Sequence, residues 1–187
     1  MEDRALETLQ TMLARRGLDT KVDRLATEDV ERANLYTIGD ILVVFSQKDR
    51  GILDRDITKF IDFAGTNGYK NGIIIVSLTP LSENVLKVAK SYSKDKVQFF
   101  HIRQLQFDIT THRLAVPHRI LKEDERTAVF EKFKITKPDQ LPSIDSQDPM
   151  AKWIGAVPGD IIEVLRHSDV AGQQLYYRHC VEDVNVA

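Results

Sequence analysis

The 187-residue sequence has little of what most chemistry needs: one cysteine, Cys180, one tryptophan, five histidines and no glycine-rich phosphate loop. One thiol excludes an internal disulfide, and with no Cys or His cluster at ligand spacing there is no structural zinc site. That cysteine usage points to a reducing compartment. The histidines His101, His112, His118, His167 and His179 never recur four apart, so no helix presents two of them on one face to a metal. Gly155 and Gly159 are the densest glycine spacing, but no Lys-Ser or Lys-Thr follows. No apolar run approaches the ~20 residues that cross a bilayer. The segment from Met1 to Leu9 is charged and amphipathic and is not expected to be a secretory signal. Charge of either sign is also scarce in excess, with 26 Lys and Arg against 28 Asp and Glu. That balance argues against an autonomous, non-specific nucleic-acid binder, which is usually strongly basic. What is present, 42% hydrophobic and 29% charged residues, suits a soluble globular chain of one or two domains.

Leu6, Leu9 and Leu13 recur at helical spacing and predict a helix over residues 3–16, stopped by Gly17. A short second helix is expected from Thr27, where Thr-Glu-Asp-Val supplies a capping oxygen and two acids. Ile41 to Phe45 is a β-branched, apolar run that suits a strand buried on both faces, Gly72 to Leu78 reads as a second buried strand, and Lys96 to Phe100 as a third strand. Between them, Ile57, Phe60, Ile61 and Ala64 predict one helix, and Thr79-Pro80 opens another with Val85, Leu86, Val88 and Ala89 inward. This alternation predicts an α/β layer with largely parallel strands.

The texture changes after about residue 108. Five of the six prolines lie beyond it. A helix is expected over residues 122–134, with Glu123, Asp124 and Glu125 in its first turn. Asp148-Pro149 starts a short helix to Ile154, the acid capping and the proline at the first helical position. Residues 159–165 and 175–181 alternate as strands, joined through a turn at 168–172. Cys180 reads as a core thiol inside the second. The expected organisation is α+β overall, with an α/β domain over residues 1–107 and a smaller mixed α+β domain over residues 108–187.

Two arrangements bear on nucleic acid. Metal-dependent nucleases set an Asp before a strand and an acid-x-Lys on it, so that two carboxylates hold Mg²⁺. Asp40 and Lys48 stand at those places, but Ser46 occupies the position of the second acid, which leaves the metal short of a ligand. The alternative is that Asp40 only closes a Gly39-Asp40 turn. Second, Thr79, Pro80 and Ser82 open a helix whose free N–H groups attract phosphate. Between residues 66 and 106 the cations Lys70, Lys87, Lys90, Lys94, Lys96 and Arg103 face only Glu83 and Asp95. Such a patch makes phosphate contacts that carry no sequence information; an ordinary solvated helix face is the competing reading.

An ordered series then carries a resemblance. It runs Thr111-His112-Arg113-Leu114, Pro117-His118, Leu141-Pro142-Ser143-Ile144, Asp148-Pro149, Gly155, Gly159-Asp160, Arg166 to Gly172, and Tyr177-Arg178. Residues 108–182 closely resemble the assembly domain of the fifth-largest subunit shared by eukaryotic nuclear RNA polymerases. The corresponding small protein of archaeal polymerases is similar to this domain alone. More weakly, Arg15-Arg16-Gly17, the strand before Phe45, the strand Ile73 to Leu78 and Thr79-Pro80 resemble that family's restriction-endonuclease-like jaw domain. The sequence departs from the family where Pro117 directly precedes His118, and in a jaw shortened between residues 20 and 40, as a divergent eukaryote or a large DNA virus could encode.

The resemblance implies a non-catalytic subunit without cofactor, metal, membrane or small-molecule substrate. Its partners would be the largest polymerase subunit, neighbouring subunits and downstream duplex DNA, in the nucleus or, for a viral chain, the virion or viral factory. Thr79, Pro80, Ser82, Lys87 and Lys90 would lie near DNA. His112, Pro117, His118, Pro142, Asp148, Pro149, Gly155, Gly159, Asp160, Arg166, Gly172, Tyr177 and Arg178 would serve assembly. Several also have ordinary roles: Pro142 suits a strand start, the glycines suit turns, and Arg166 and Arg178 suit either a partner carboxylate or the chain's own sheet edge.

Overall fold

A computed structural model describes residues 1–26, 32–47, 51–69, 71–92, 95–168 and 172–184. The chain has mixed α and β structure in two compact units, Met1–Ile109 and Thr110–Ala187.

The N-terminal unit is built on a five-stranded sheet in sequence order: β1 (Val22–Leu25), β2 (Ala33–Ile38), β3 (Ile41–Ser46), β4 (Ile73–Ser77) and β5 (Val97–His101). The first three strands run antiparallel and the last three parallel. The three strands expected from the sequence, β3 to β5, are parallel to one another as expected; β1 and β2 extend the sheet antiparallel and make it mixed. β1 and β2 were missed because Asn34, Tyr36 and Thr37 dilute the apolar signal, although the Gly39-Asp40 turn between β2 and β3 is legible. The expected helix from Thr27 lies outside the described residues.

β3 and β4 are buried at every position, as strands covered on both faces must be. On one face Leu42, Val44, Ile73, Ile75, Val97 and Phe99 pack with Ile57, Phe60 and Ala64 of α2 (Asp54–Thr66) and Val85 of α3 (Glu83–Ser91). On the other, α1 (Glu2–Arg15) buries Ala5, Leu9, Met12 and Leu13. Arg16, just past α1, donates to Gln98 Oε1 of β5 at 2.9 Å. Burial lowers the Arg16 pKa to about 10. The start of α2 is fixed by Asp56, whose carboxylate accepts from the Leu53 N–H at 3.0 Å.

The C-terminal unit holds a four-stranded sheet in the order β6 (His118–Ile120), β8 (Ile161–Ser168), β9 (Gly172–Val181), β7 (Ser143–Asp145). β9 runs antiparallel to β8 along its length and parallel to β7 at one end. One face, with Ile162, Val164, Ile144 and Cys180, packs on α5 (Pro149–Ile154). The other, with Ile161, packs on Val129 of α4 (Glu123–Phe133). β9 is paired with β8 from Gly172 to His179. It is interior at its C-terminal end, because β7 covers His179–Val181; three residues of strand after a proline are too short for a periodic signal.

Candidate functional site

In the C-terminal unit, most of the series from His112 to Arg178 builds the unit itself. Asp148 caps α5, its Oδ1 accepting from Met150 N at 2.8 Å and Ala151 N at 3.3 Å, with Pro149 next to it. Gly155 ends the helix in a left-handed conformation, φ 79°. Asp160 Oδ2 accepts from Val157 N at 2.8 Å, while Gly159 N donates to Cys180 O and Cys180 N to Asp160 O, tying this turn to β9. Pro142 O accepts from His179 N at 2.9 Å and Pro117 O from Leu165 N at 3.1 Å, so the two carbonyls hold β7 and β6 in place. His118 Nδ1 lies 2.6 Å from Val116 O, and His112 Nδ1 accepts from Leu114 N at 3.2 Å. Arg178 donates to Ser143 O at 3.0 Å across the β7–β9 pair.

The residues that turn outward are fewer. Arg166 lies over the Tyr176 ring at 5.3 Å, with Leu175 and Tyr176 51% and 43% exposed. Gly172 opens β9 with φ 68°. Tyr177 is half-buried beside Phe133, ring centroids 5.9 Å apart. Burial, then Glu163, raises its pKa. Burial also pushes the Cys180 thiol up to about 12, so it carries no thiolate at neutral pH.

Sequence reading missed Arg119. Its guanidinium meets Glu125 of α4 at 2.6 Å and Glu163 of β8 at 2.9 Å, linking three elements through one side chain. Its only sequence signal is an arginine between His118 and Ile120 in a three-residue strand.

In the N-terminal unit, α3 begins at Glu83 rather than at Thr79-Pro80. Ser82 is the cap, its Oγ accepting from Val85 N at 3.4 Å. Residues 78–82 form a loop in which Ser77 Oγ accepts from Thr79 N at 3.2 Å. Pro80, Ser82 and Lys87 are exposed; Thr79 and Lys90 are half-buried. Lys96 and Arg103 are exposed, and Lys70 and Lys94 lie outside the described residues. So does Lys48. Asp40 is exposed and accepts from Asn71 Nδ2 at 3.3 Å, whereas Ser46 is buried. Among the described residues no group of His, Cys, Asp or Glu is arranged to hold a metal ion.

The family model described as RNA polymerase Rpb5, C-terminal domain, matches residues 107–180. DNA-directed RNA polymerase subunit Rpo5 of Pyrococcus horikoshii is 54% identical over 78 residues, 42% of this chain and 94% of its own length. The Rpo5 of Methanosarcina mazei is 42% identical over 77 residues, 97% of its length. A Dictyostelium discoideum protein named as a subunit of RNA polymerases I, II and III is 28% identical over 144 residues, 76% of this chain and 73% of its own. With nearly the whole of an archaeal relative reproduced at more than half identity, the chain belongs to the Rpb5 family of RNA polymerase subunits.

Proposed function

We propose that this chain is a non-catalytic structural subunit of a DNA-directed RNA polymerase, anchored on the largest subunit by its C-terminal unit. The N-terminal unit acts as a jaw near downstream duplex DNA, in the nucleus or, for a virus-encoded chain, in the virion or viral factory. The observation that carries this reading is the 54% identity across 94% of an Rpo5 chain. The jaw draws support from the Dictyostelium match, whose 144 residues are more than the C-terminal unit holds. The charge split agrees: residues 1–107 carry sixteen Lys and Arg against fifteen acids, and residues 108–187 ten against thirteen. A tethered jaw needs few phosphate contacts of its own, because tethering raises its effective concentration near DNA.

Affinity purification of the tagged chain in mild salt should recover the largest polymerase subunits. Recovery of a free monomer alone would overturn the reading. For the DNA role, Lys87→Glu with Lys90→Glu should leave that recovery intact. The salt slope of downstream-DNA retention should fall by about 1 to 2, since each lost phosphate contact removes close to one released counterion. An unchanged slope removes the α3 face from the DNA path.

A further inference from the structure

Among the described residues, the β8–β9 ribbon leaves one backbone edge without a strand. Along β9, Cys180 N donates toward β8, to Asp160 O, and His179 N donates the other way, to Pro142 O. Backbone groups alternate sides along a strand. Gln173 and Leu175 therefore direct N–H and C=O to the same side as His179, away from β8. β7 occupies that side only from His179 to Val181, and the residues before it turn away through Pro142 and a 3-10 turn at Pro138–Gln140. Among the described residues, nothing pairs with the outer edge of β9 from Gly172 to Arg178.

That edge is regular. β8 pairs with β9 continuously from Ile161↔His179 to Ser168↔Gly172, with no bulge. β6 stops at Val164, so the ribbon beyond it is paired only with itself among the described residues. Proteins usually blunt an exposed edge with proline, lysine or a bulge. The segment Gly172 to Arg178 has none of these, and it exposes Leu175 on one face and Tyr176 on the other. The ribbon is also cationic, carrying Arg166 and Arg178 with Asp169 as the sole acid in residues 165–178, in a half of the chain with an acidic excess.

We propose that an acidic, extended segment of a neighbouring polymerase subunit adds as a strand to this outer edge of β9, its carboxylates meeting Arg166 and its backbone bonding Gln173 and Leu175. The proposal rests on the subunit reading above. Charge decides the occupant: a second copy would bring a like-charged ribbon to the same edge, whereas an acidic segment is complementary.

Hydrogen exchange resolved to single amides tests it, on the isolated chain and on the complex purified with it. The Gln173 and Leu175 amides should exchange at least about tenfold more slowly in the complex, while the Gln174 and Tyr176 amides, bonded to β8, are protected in both. Leu175→Pro removes one outward N–H without touching a β8 bond, and should cut recovery of polymerase subunits about tenfold or more. Leu175→Ala, which loses the same side chain, should retain most of it, and matched melting temperatures of the two isolated variants establish that the proline chain is folded. Arg166→Glu should weaken recovery several-fold. Recovery of polymerase subunits without new protection at Gln173 and Leu175 overturns strand addition and leaves the subunit reading standing. Protection in the isolated chain that grows with its concentration assigns the edge to a second copy and also overturns it. Failure of the wild-type chain to recover any polymerase subunit ends both.

Discussion

Gly72→Ala should lower the unfolding free energy by about 3 to 5 kcal/mol, read as a shift of the urea midpoint at unchanged slope. Gly72 enters β4 with φ 127°, a conformation that L side chains rarely adopt. A Cβ there would stand 2.8 Å from Lys96 O and 3.2 Å from Lys96 Cβ. Neither neighbour can yield cheaply. Lys96 O accepts from Ile73 N at 3.2 Å, and Gly72 O accepts from Leu42 N at 3.3 Å, so both backbones are held at the centre of the sheet. Backbone strain of about 1–3 kcal/mol and overpacking of similar size therefore add. The control is Gly65→Ala, inside α2 with open space around the new Cβ, which should gain about 0.5 kcal/mol from helix propensity. A loss at Gly72 no larger than about 1 kcal/mol would mean that β4 can shift in a way the register forbids.

Lys152→Met should stabilise the isolated chain at pH 7 by about 1 to 3 kcal/mol. Lys152 is 5% exposed on α5, and burial lowers its pKa to about 8 against the attraction of Asp148 and Asp145. The unfolded chain thus binds more protons than the folded one between about pH 8 and the ordinary lysine value. Folding carries the full burial penalty below pH 8 and loses it as pH rises through that window. Wild-type stability should rise between pH 8 and 9 by at most about 1.4 kcal/mol. From about pH 8.5, the ordinary thiol value, the Cys180 thiol acts oppositely, because burial raises its pKa to about 12 while the unfolded thiol ionises, so it reduces the rise below pH 9 and flattens it above. In Lys152→Met the rise between pH 8 and 9 should vanish. A rise that persists in the variant would assign the titration to another group, and a destabilised variant at pH 7 would make the Asp145 and Asp148 attraction the larger effect.

Much of the fold was legible because its signals are local. The apolar runs at residues 41–45, 72–78 and 96–100 announce strands, and all three are strands at nearly those bounds. Asp148-Pro149 announces a capped helix start, and the cap is made. The segments that escaped are short or mixed: β1, β6 and β7 are three or four residues long, and β2 is diluted by polar residues. Thr79-Pro80 suggested a helix start because proline favours the first helical turn, but the Ser77 hydroxyl bonds the Thr79 N–H and holds a loop until Ser82 caps.

The same division applies to the candidate surface. The sequence by itself determined the residue types, their order and the family, because caps, turn glycines and buried runs are read within a few residues of chain. The tertiary structure decided which of those residues are occupied within the fold. Pro142, Asp160 and Arg178 are engaged by partners 20 to 37 residues away, as Arg119 is by Glu163, 44 residues on. It also decided that β9 is covered at His179–Val181 and, among the described residues, open from Gly172 to Arg178, since which edge of a strand is paired depends on a neighbour distant in sequence and on backbone groups that every residue shares.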